Sequence, residues 1–144
     1  MPEKETLQRA RADKRAGKAS STQAGEFVRE EIEHIREGKH GARSTKQAIA
    51  IGLSKARRAG VDLPPSKGSS EETKEQADRD LRKARTGGKK SAKRSRATRK
   101  ALKREGRSAA SKEALSTQAR KAARKRSAAS RSRSAKKAAA TRKK

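Results

Sequence analysis

Cysteine, tryptophan and tyrosine are absent from this 144-residue sequence, which holds one phenylalanine, one methionine and three prolines. Without cysteine the chain can form neither a disulfide framework nor a thiolate metal site. The absence of cysteine does not indicate whether the protein occupies a reducing or an oxidising compartment. No run of 18 apolar residues occurs, so the sequence predicts no membrane span. The N-terminal residues MPEKETLQRARADKRAGK lack the apolar core of a secretory signal. We therefore expect a cytoplasmic protein.

Large apolar side chains are also scarce. Apolar residues make up 28% of the chain, but all except 14 of them are alanine, and nine of those 14 lie between Phe27 and Leu63. Ordering a residue costs about 1–2 kcal/mol, whereas burial returns roughly 25 cal/mol per Å² of apolar surface. The sequence therefore predicts a small core in the middle third of the chain and excludes a single globular fold of the whole.

Positive charge is what the sequence has in excess. The net charge is +27, from 43 Lys and Arg against 16 Asp and Glu. Residues 87–144 hold 23 of these cations and only two acids, Glu105 and Glu113. Charge of this density repels itself and favours a polyanionic partner, and nucleic acid is the first candidate.

Charge and composition predict a mostly α-helical protein in four segments. The small helical hairpin has its helices at about residues 24–37 and 45–59, and it is joined by further isolated helices and a largely disordered basic tail. The segments are a basic N-terminal helix or arm (1–20), the hairpin (21–68), a charge-balanced helix (69–86) and a Lys/Arg/Ala/Ser-rich nucleic-acid-binding tail (87–144).

The first hairpin helix is predicted from its apolar spacing. Ala24, Val28, Ile32 and Ile35 recur at i, i+4, i+8 and i+11, which places them on one helical face. Gly38 is suited to end this helix, because glycine adopts the left-handed conformation of a C-terminal cap without strain.

The second hairpin helix is predicted from its ends. Ser44 and Gln47 have the spacing of a capping box, and Gly60 is a suitable stop. Residues 48–53 read AIAIGL, and this alternation is also typical of a strand. Helix is favoured because no second segment of the sequence offers a pairing partner for a strand.

Two features of the second helix concern packing. Ala48, Gly52 and Ala56 form a ridge of small side chains that would let the first helix approach closely, while Ile49 and Leu53 share the packing face with Ala56. The resulting core holds about nine large residues, so dimerisation through the hairpin or folding on a partner is a further expectation.

A third helix is predicted to begin at Ser69, which has Glu72 at capping-box spacing. Its alternating charges and single leucine, Leu81, indicate a solvated helix or spacer. Gly87 and Gly88 form a natural hinge before the tail.

The tail is predicted to be disordered alone and to gain helix when phosphates neutralise it. Alanine, lysine and arginine favour helix, but neighbouring like charges oppose it in free solution. With Phe27 as the only aromatic residue, base stacking is almost unavailable. What remains is phosphate contact, which gives affinity with little sequence information.

The function predicted is non-enzymatic, largely sequence-independent DNA binding, with a nucleoid location. No cofactor is predicted, because no nucleophile elbow, paired-carboxylate cleft or glycine-rich phosphate loop occurs. An RNA- or ribosome-associated role, or a protein-interaction hairpin with a localising tail, are the alternatives. The candidate nucleic-acid-binding residues are Arg43, Lys46, Lys55, Arg57, Arg58, Lys89, Lys90, Lys93, Arg94, Arg96, Arg99, Lys100, Lys103, Arg104, Arg120, Lys121, Arg124, Lys125 and Arg126.

His34 and His40 are the only histidines, and they lie near Glu30, Glu31 and Glu37 in sequence. These residue types bind metals, but their spacing matches no known zinc pattern. We therefore predict a surface role for both histidines and no metal site.

Residues 26–65, and above all KHGARSTKQAIAIGLSKARRAG at 39–60, resemble the signature block of a family of small basic bacterial proteins of unknown function. Members are often described as DNA-binding on composition. The tail is similar in composition to the Lys/Ala-rich tails of linker histones and bacterial histone-like proteins, although it lacks their frequent prolines. These resemblances imply a bacterial, nucleoid-associated setting.

Overall fold

In a computed structural model, which describes residues 1–87, 89 and 91–143, the protein is helical and has no β-strand in those residues. The predicted mostly-α fold is confirmed, and the alternative of a strand at 48–53 is wrong. No described helix is both long and apolar enough to cross a membrane. The elements are α1 (Lys4–Arg15), α2 (Ser20–Arg36), α3 (Thr45–Arg58), α4 (Glu71–Thr86), α5 (Ala92–Lys103), a short 3₁₀-helix (Ser108–Ala110), α6 (Lys112–Arg124) and α7 (Ala128–Arg142).

Helices α2 and α3 form the predicted hairpin. Helix α2 begins four residues earlier than expected, at Ser20, and Gly38 follows it with a φ of +77°. Ser44 Oγ accepts a hydrogen bond from the Gln47 backbone N–H at 3.2 Å, so the N-cap of α3 is confirmed. The reciprocal bond differs from a standard capping box, because Gln47 Oε1 accepts from the Arg43 N–H at 2.7 Å.

The two hairpin helices meet along the small-residue ridge. Ala48, Gly52 and Ala56 are buried, and a Cβ at position 52 would lie 2.6 Å from Val28 Cα. Glycine is required there because α2 backbone occupies the space of a side chain. Ile49 and Leu53 are half-buried and flank this ridge. The ridge itself, at Gly52, lies against the backbone of α2.

Helices α1 and α4 are not isolated, contrary to expectation. Helix α1 packs on α2, and α4 packs on α3. Leu7 and Ala10 of α1 join a core cluster around Phe27, together with Ala56 of α3 and Val61. The amphipathic face that the hairpin leaves open at this end is therefore covered by the N-terminal helix.

Helix α4 differs from the prediction in two features, its N-cap and the burial of one of its faces. Ser70, not Ser69, is the N-cap and accepts from the Thr73 N–H at 3.4 Å. The side chains of Ala77 and Asp80 are buried, so α4 is not a solvated spacer. Gly87 ends it in the left-handed conformation, whereas Gly88 of the predicted hinge lies outside the described residues.

The tail is helical, so the prediction of a largely disordered tail is not supported. Helices α5, α6 and α7 each begin at a serine whose hydroxyl accepts a backbone N–H: Ser91, Ser111 and Ser127. Such caps satisfy otherwise unpaired amides. Together with the high helix propensity of alanine, lysine and arginine, they outweigh repulsion between exposed cations, which water screens.

Residues 102–115, here called the docking segment, join the hairpin core. The backbone N–H groups of Gly41 and Ala42 donate to the carbonyls of Leu102 and Gly106, at 2.9 and 3.1 Å. Thr45 Oγ1 donates to the Ala109 carbonyl at 2.7 Å. Ala109, Ala110 and Leu115 pack with the apolar side chains Ile32, Ile35, Ala42 and Ala48. The tail therefore starts with a part that belongs to the folded unit.

Candidate nucleic-acid interface

Some of the cations in residues 1–86 form ion pairs inside the protein, whereas others, such as Arg11, Lys14 and Arg82, are exposed and form none within the described residues. These pairs range from exposed ones to those with the buried carboxylates of Glu31 and Asp80, and residues 1–86 hold 14 acids against 20 cations. The contacts are Arg9–Glu26 at 2.6 Å, Lys18–Asp13 at 2.6 Å, Arg29–Glu33 at 2.9 Å, Lys55–Glu31 at 2.6 Å, Arg58–Asp80 at 2.7 Å and Lys74–Glu71 at 2.6 Å.

Beyond residue 88 acids are scarce, and only Glu105 and Glu113 occur there. Every Lys and Arg described in this region is exposed, and none of them forms an ion pair within the described chain. Arg96, Arg107 and Arg126 donate hydrogen bonds, but their acceptors are backbone carbonyls or serine oxygens that carry no charge. Glu105, one of two acids in the region, lies 3.9 Å from Arg43 of the hairpin. The tail charge is therefore uncompensated.

The cations of α5 lie largely on one side of the helix. Lys93, Arg96, Lys100 and Lys103 follow each other at i, i+3, i+7 and i+10, which is the spacing of a single face. Arg99 borders the same face, and no residue of α5 is buried. This arrangement presents a row of cations to solvent, as phosphate contact along a backbone requires.

The five predicted cations of the hairpin divide into two groups. Arg43 and Lys46 are exposed. Lys55 is held by Glu31, Arg57 is buried and donates from Nε to the Leu63 carbonyl at 2.8 Å, and Arg58 pairs with Asp80. The last three side chains therefore have structural partners. Lys90 of the tail lies outside the described residues.

The remaining predicted cations lie on the tail helices and their connections. Lys89 precedes α5, and Arg94 and Arg104 belong to α5 and its C-cap. The others occupy the C-terminal half of α6 and the turn that follows, as Arg120, Lys121, Arg124, Lys125 and Arg126. All of these side chains are exposed.

Phe27, the only aromatic residue of the chain, is 1% exposed and lies in the core. It cannot stack on a base without unfolding its surroundings. Binding of nucleic acid to this surface would therefore depend on charge and on hydrogen bonds.

A second constellation consists of the two histidines and a nearby glutamate, for which the sequence predicted a surface role and no metal site. Glu31, His34 and His40 each offer a ligand atom, and these atoms lie within 4.8 Å of one another. The side chains of His34 and His40 are 14% and 15% exposed, so both are largely buried, contrary to the predicted surface role. The Glu31–His34 spacing of three residues on one helix was a visible signal. The approach of His40 depends on the path of residues 37–44, which no local pattern specifies.

Two adjacent carboxylates are buried beside this cluster. The residues Glu30 and Glu31 are 2% and 0% exposed, and Lys55 Nζ lies 3.7 Å from Glu30 Oε1 and 2.6 Å from Glu31 Oε2. Glu30 Oε2 also accepts the Glu3 backbone N–H at 3.0 Å. Oε1 of each carboxylate has no hydrogen-bond partner. Buried charge of this kind calls for compensation.

The N-terminal arm contributes a further carboxylate at the edge of the cluster. Glu3 Oε1 accepts from His34 Nε2 at 2.9 Å and from Lys39 Nζ at 3.2 Å. The hydrogen bond from His34, followed by those of Lys39, lowers the pKa of Glu3 below its ordinary value. Hydrogen bonds to Glu37 and Glu3 raise the pKa of Lys39. Glu3 thereby fixes the orientation of the His34 ring.

Residues 11–67 match the model of a family of unknown function (DUF6496). The matched range includes the hairpin and the block at 39–60, and it ends before α4. The chain matches no curated protein and no solved structure. The predicted resemblance to a family without a known function is confirmed for this part of the sequence.

Proposed function

We propose that this protein binds double-stranded DNA, without catalysis and largely independently of sequence, through phosphate contacts of α5–α7. The observation that carries the proposal is the set of exposed cations beyond residue 88, where the described Lys and Arg form no ion pair and residues 87–144 hold 23 cations against two acids. Phosphates would neutralise these cations and release condensed counterions, which is a strong source of affinity.

The hairpin has an organising role in this proposal. The docking segment ties the start of the tail to the core formed by α2 and α3. Arg43 and Lys46 add exposed cations near that junction, whereas Lys55, Arg57 and Arg58 serve the fold. The proposed contact residues are therefore the tail cations with Arg43 and Lys46. A bacterial nucleoid location and a histone-like mode of binding belong to the same proposal.

Two charge-matched triple variants test the proposal. Lys93→Gln, Arg94→Gln and Lys100→Gln remove unpaired tail cations, while Lys18→Gln, Arg29→Gln and Lys74→Gln remove the same charge from ion pairs at the surface. Affinity for a random-sequence duplex is measured by fluorescence anisotropy at several salt concentrations. Each lost phosphate contact should reduce the slope of log K against log[salt] by about 0.9.

We expect the tail variant to lose affinity and up to about three units of slope, and the paired-cation variant to stay close to wild type. Equal losses in both variants would mean that only net charge matters, and the proposal would fail. Competition by ribosomal RNA at matched salt decides between DNA and the alternative RNA-associated role: tighter RNA binding would overturn the choice of DNA.

A further inference from the structure

We propose that Glu31, His34 and His40 form a binding site for a divalent transition metal, with Zn²⁺ as the preferred ion. Two imidazole nitrogens and one carboxylate oxygen are a donor set typical of zinc, in which a water completes the tetrahedron. The site is separate from the proposed DNA contacts, and the inference does not rest on them.

The geometry between Glu31 and His40 is the central observation. His40 Nε2 lies 3.2 Å from Glu31 Oε1, and His40 Nδ1 lies 3.0 Å from the Gly41 carbonyl oxygen. A carbonyl oxygen only accepts, so Nδ1 carries a proton. With Nε2 unprotonated, its lone pair faces Glu31 Oε1, a carboxylate oxygen that has no hydrogen-bond partner. Two acceptors face each other, and a cation between them resolves the conflict.

The spacing suits a metal ion. Zinc lies about 2.0–2.1 Å from nitrogen and oxygen ligands, so neighbouring ligand atoms of a tetrahedron are about 3.3 Å apart. The Glu31–His40 pair already has this separation, at 3.2 Å. The ligand atoms of all three residues lie within 4.8 Å of one another, so binding requires them to close to the tetrahedral separation. Glu31 Oε2 is occupied by Lys55, which leaves Oε1 as a single ligand atom.

The surroundings support the ligands. A histidine that binds a metal usually donates its other ring N–H to a carbonyl or carboxylate. His40 has such a partner in the Gly41 carbonyl, and the ring of His34 is held by Glu3. The buried carboxylates Glu30 and Glu31 share one ammonium group, that of Lys55, and a bound cation would add compensating positive charge beside them.

The test uses the full-length protein, freed of nucleic acid and treated with a chelator. Zn²⁺ is titrated in competition with a chromophoric chelator, and Co²⁺ is titrated with visible absorption as the readout of tetrahedral coordination. We expect one ion per chain. Glu31→Gln and His40→Ala should each weaken Zn²⁺ binding at least about tenfold. Glu33→Gln, at a half-exposed residue of the same helix that pairs with Arg29, should keep the wild-type affinity.

Because Glu31 is buried, the Glu31→Gln variant can also disturb folding. A measurement on the wild-type protein therefore tests the site independently of that variant. The chain has two histidines, so their ring ¹⁵N resonances are readily assigned. Stoichiometric Zn²⁺ should shift the ligating nitrogen of both rings. Binding without these shifts, no binding of stoichiometric Zn²⁺, or an equal loss in Glu33→Gln would overturn the site. A His40 ring that carries two protons and keeps them with Zn²⁺ present would also overturn it.

Discussion

At the scale of single residues, two glycines in helix interiors differ in the space around them. Gly52 lies where the α2 backbone passes, whereas a Cβ added at Gly25 of α2 would have no neighbouring atom within 4 Å. A glycine inside a helix costs about 1 kcal/mol relative to alanine. At position 52 close packing offsets this cost, whereas at position 25 no contact does.

We therefore expect Gly52→Ala to destabilise the protein by about 2 kcal/mol, because its Cβ would meet Val28 Cα at 2.6 Å. Gly25→Ala is the matched control and should stabilise it by roughly 0.5–1 kcal/mol. Urea denaturation followed by circular dichroism measures both. Equal effects of the same sign would show that α2 and α3 do not pack along this ridge.

Asp80 is the residue that attaches α4 to α3. Its carboxylate accepts from Ser54 Oγ at 2.5 Å, Arg58 Nε at 2.7 Å and Gln76 Nε2 at 3.1 Å. Burial raises the pKa of Asp80, but the hydrogen bonds from Ser54, Arg58 and Gln76 outweigh it and hold the pKa below its ordinary value of 3.8. A lowered folded-state pKa means that this stabilisation is present above pH 3.8 and is lost as the pH falls through the folded value.

Asp80→Asn should therefore destabilise the protein by about 2 kcal/mol at neutral pH, through loss of the charged acceptor. It should also flatten the fall in stability below pH 3.8. Free energies of unfolding from urea titrations at several pH values measure both effects. Asp78→Asn, at an exposed position of the same helix, is the control and should change neither. An unchanged acid dependence in Asp80→Asn would contradict the assigned cause.

Among the structural elements, the docking segment decides whether the tail is part of the fold. Its two backbone hydrogen bonds with Gly41 and Ala42 require close approach, and a Cβ at position 41 would lie 2.0 Å from the Glu105 carbonyl oxygen. Helix identity in this region follows from serine caps and alanine content. The packing of the docking segment against the hairpin depends on the absence of a side chain at Gly41.

Gly41→Ala should release the docking segment and leave α1–α4 folded, because the contact is with backbone that cannot move aside locally. Amide hydrogen exchange should become faster at Ala42 and Ala110 and stay unchanged at the amides of α1. Gly106→Ala places its Cβ in open space and is the matched control. Unchanged exchange at Ala42 in the first variant would contradict docking of the tail.

For the molecule as a whole, a net charge of +27 opposes compaction. Raising the ionic strength from about 0.01 to 0.15 M shortens the Debye length from about 30 to 8 Å. We expect the thermal midpoint to rise over this range. The rise should be smaller in the triple tail variant at Lys93, Arg94 and Lys100 than in the triple variant at Lys18, Arg29 and Lys74. A fall in the wild-type midpoint would show that attractive ion pairs dominate instead.

Much of the helical architecture was predictable because its causes are local in sequence. The spacing of Ala24, Ile32 and Ile35, the serine cap at Ser44 and the small-residue ridge each specify a helix or a packing face from residues within a few turns. The prediction of a disordered tail is not supported, because it placed like-charge repulsion above three serine caps and an alanine-rich sequence.

The helical character of this protein, its small core and the concentration of positive charge beyond residue 86 all follow from the amino-acid sequence alone. Which cations are neutralised within the fold, and the convergence of Glu31, His34 and His40, became evident from the three-dimensional arrangement of the helices. Periodicity, capping and charge density act over a few residues. Ion pairing and ligand convergence depend on the paths of loops between helices, such as residues 37–44, and on which distant side chains those paths bring together.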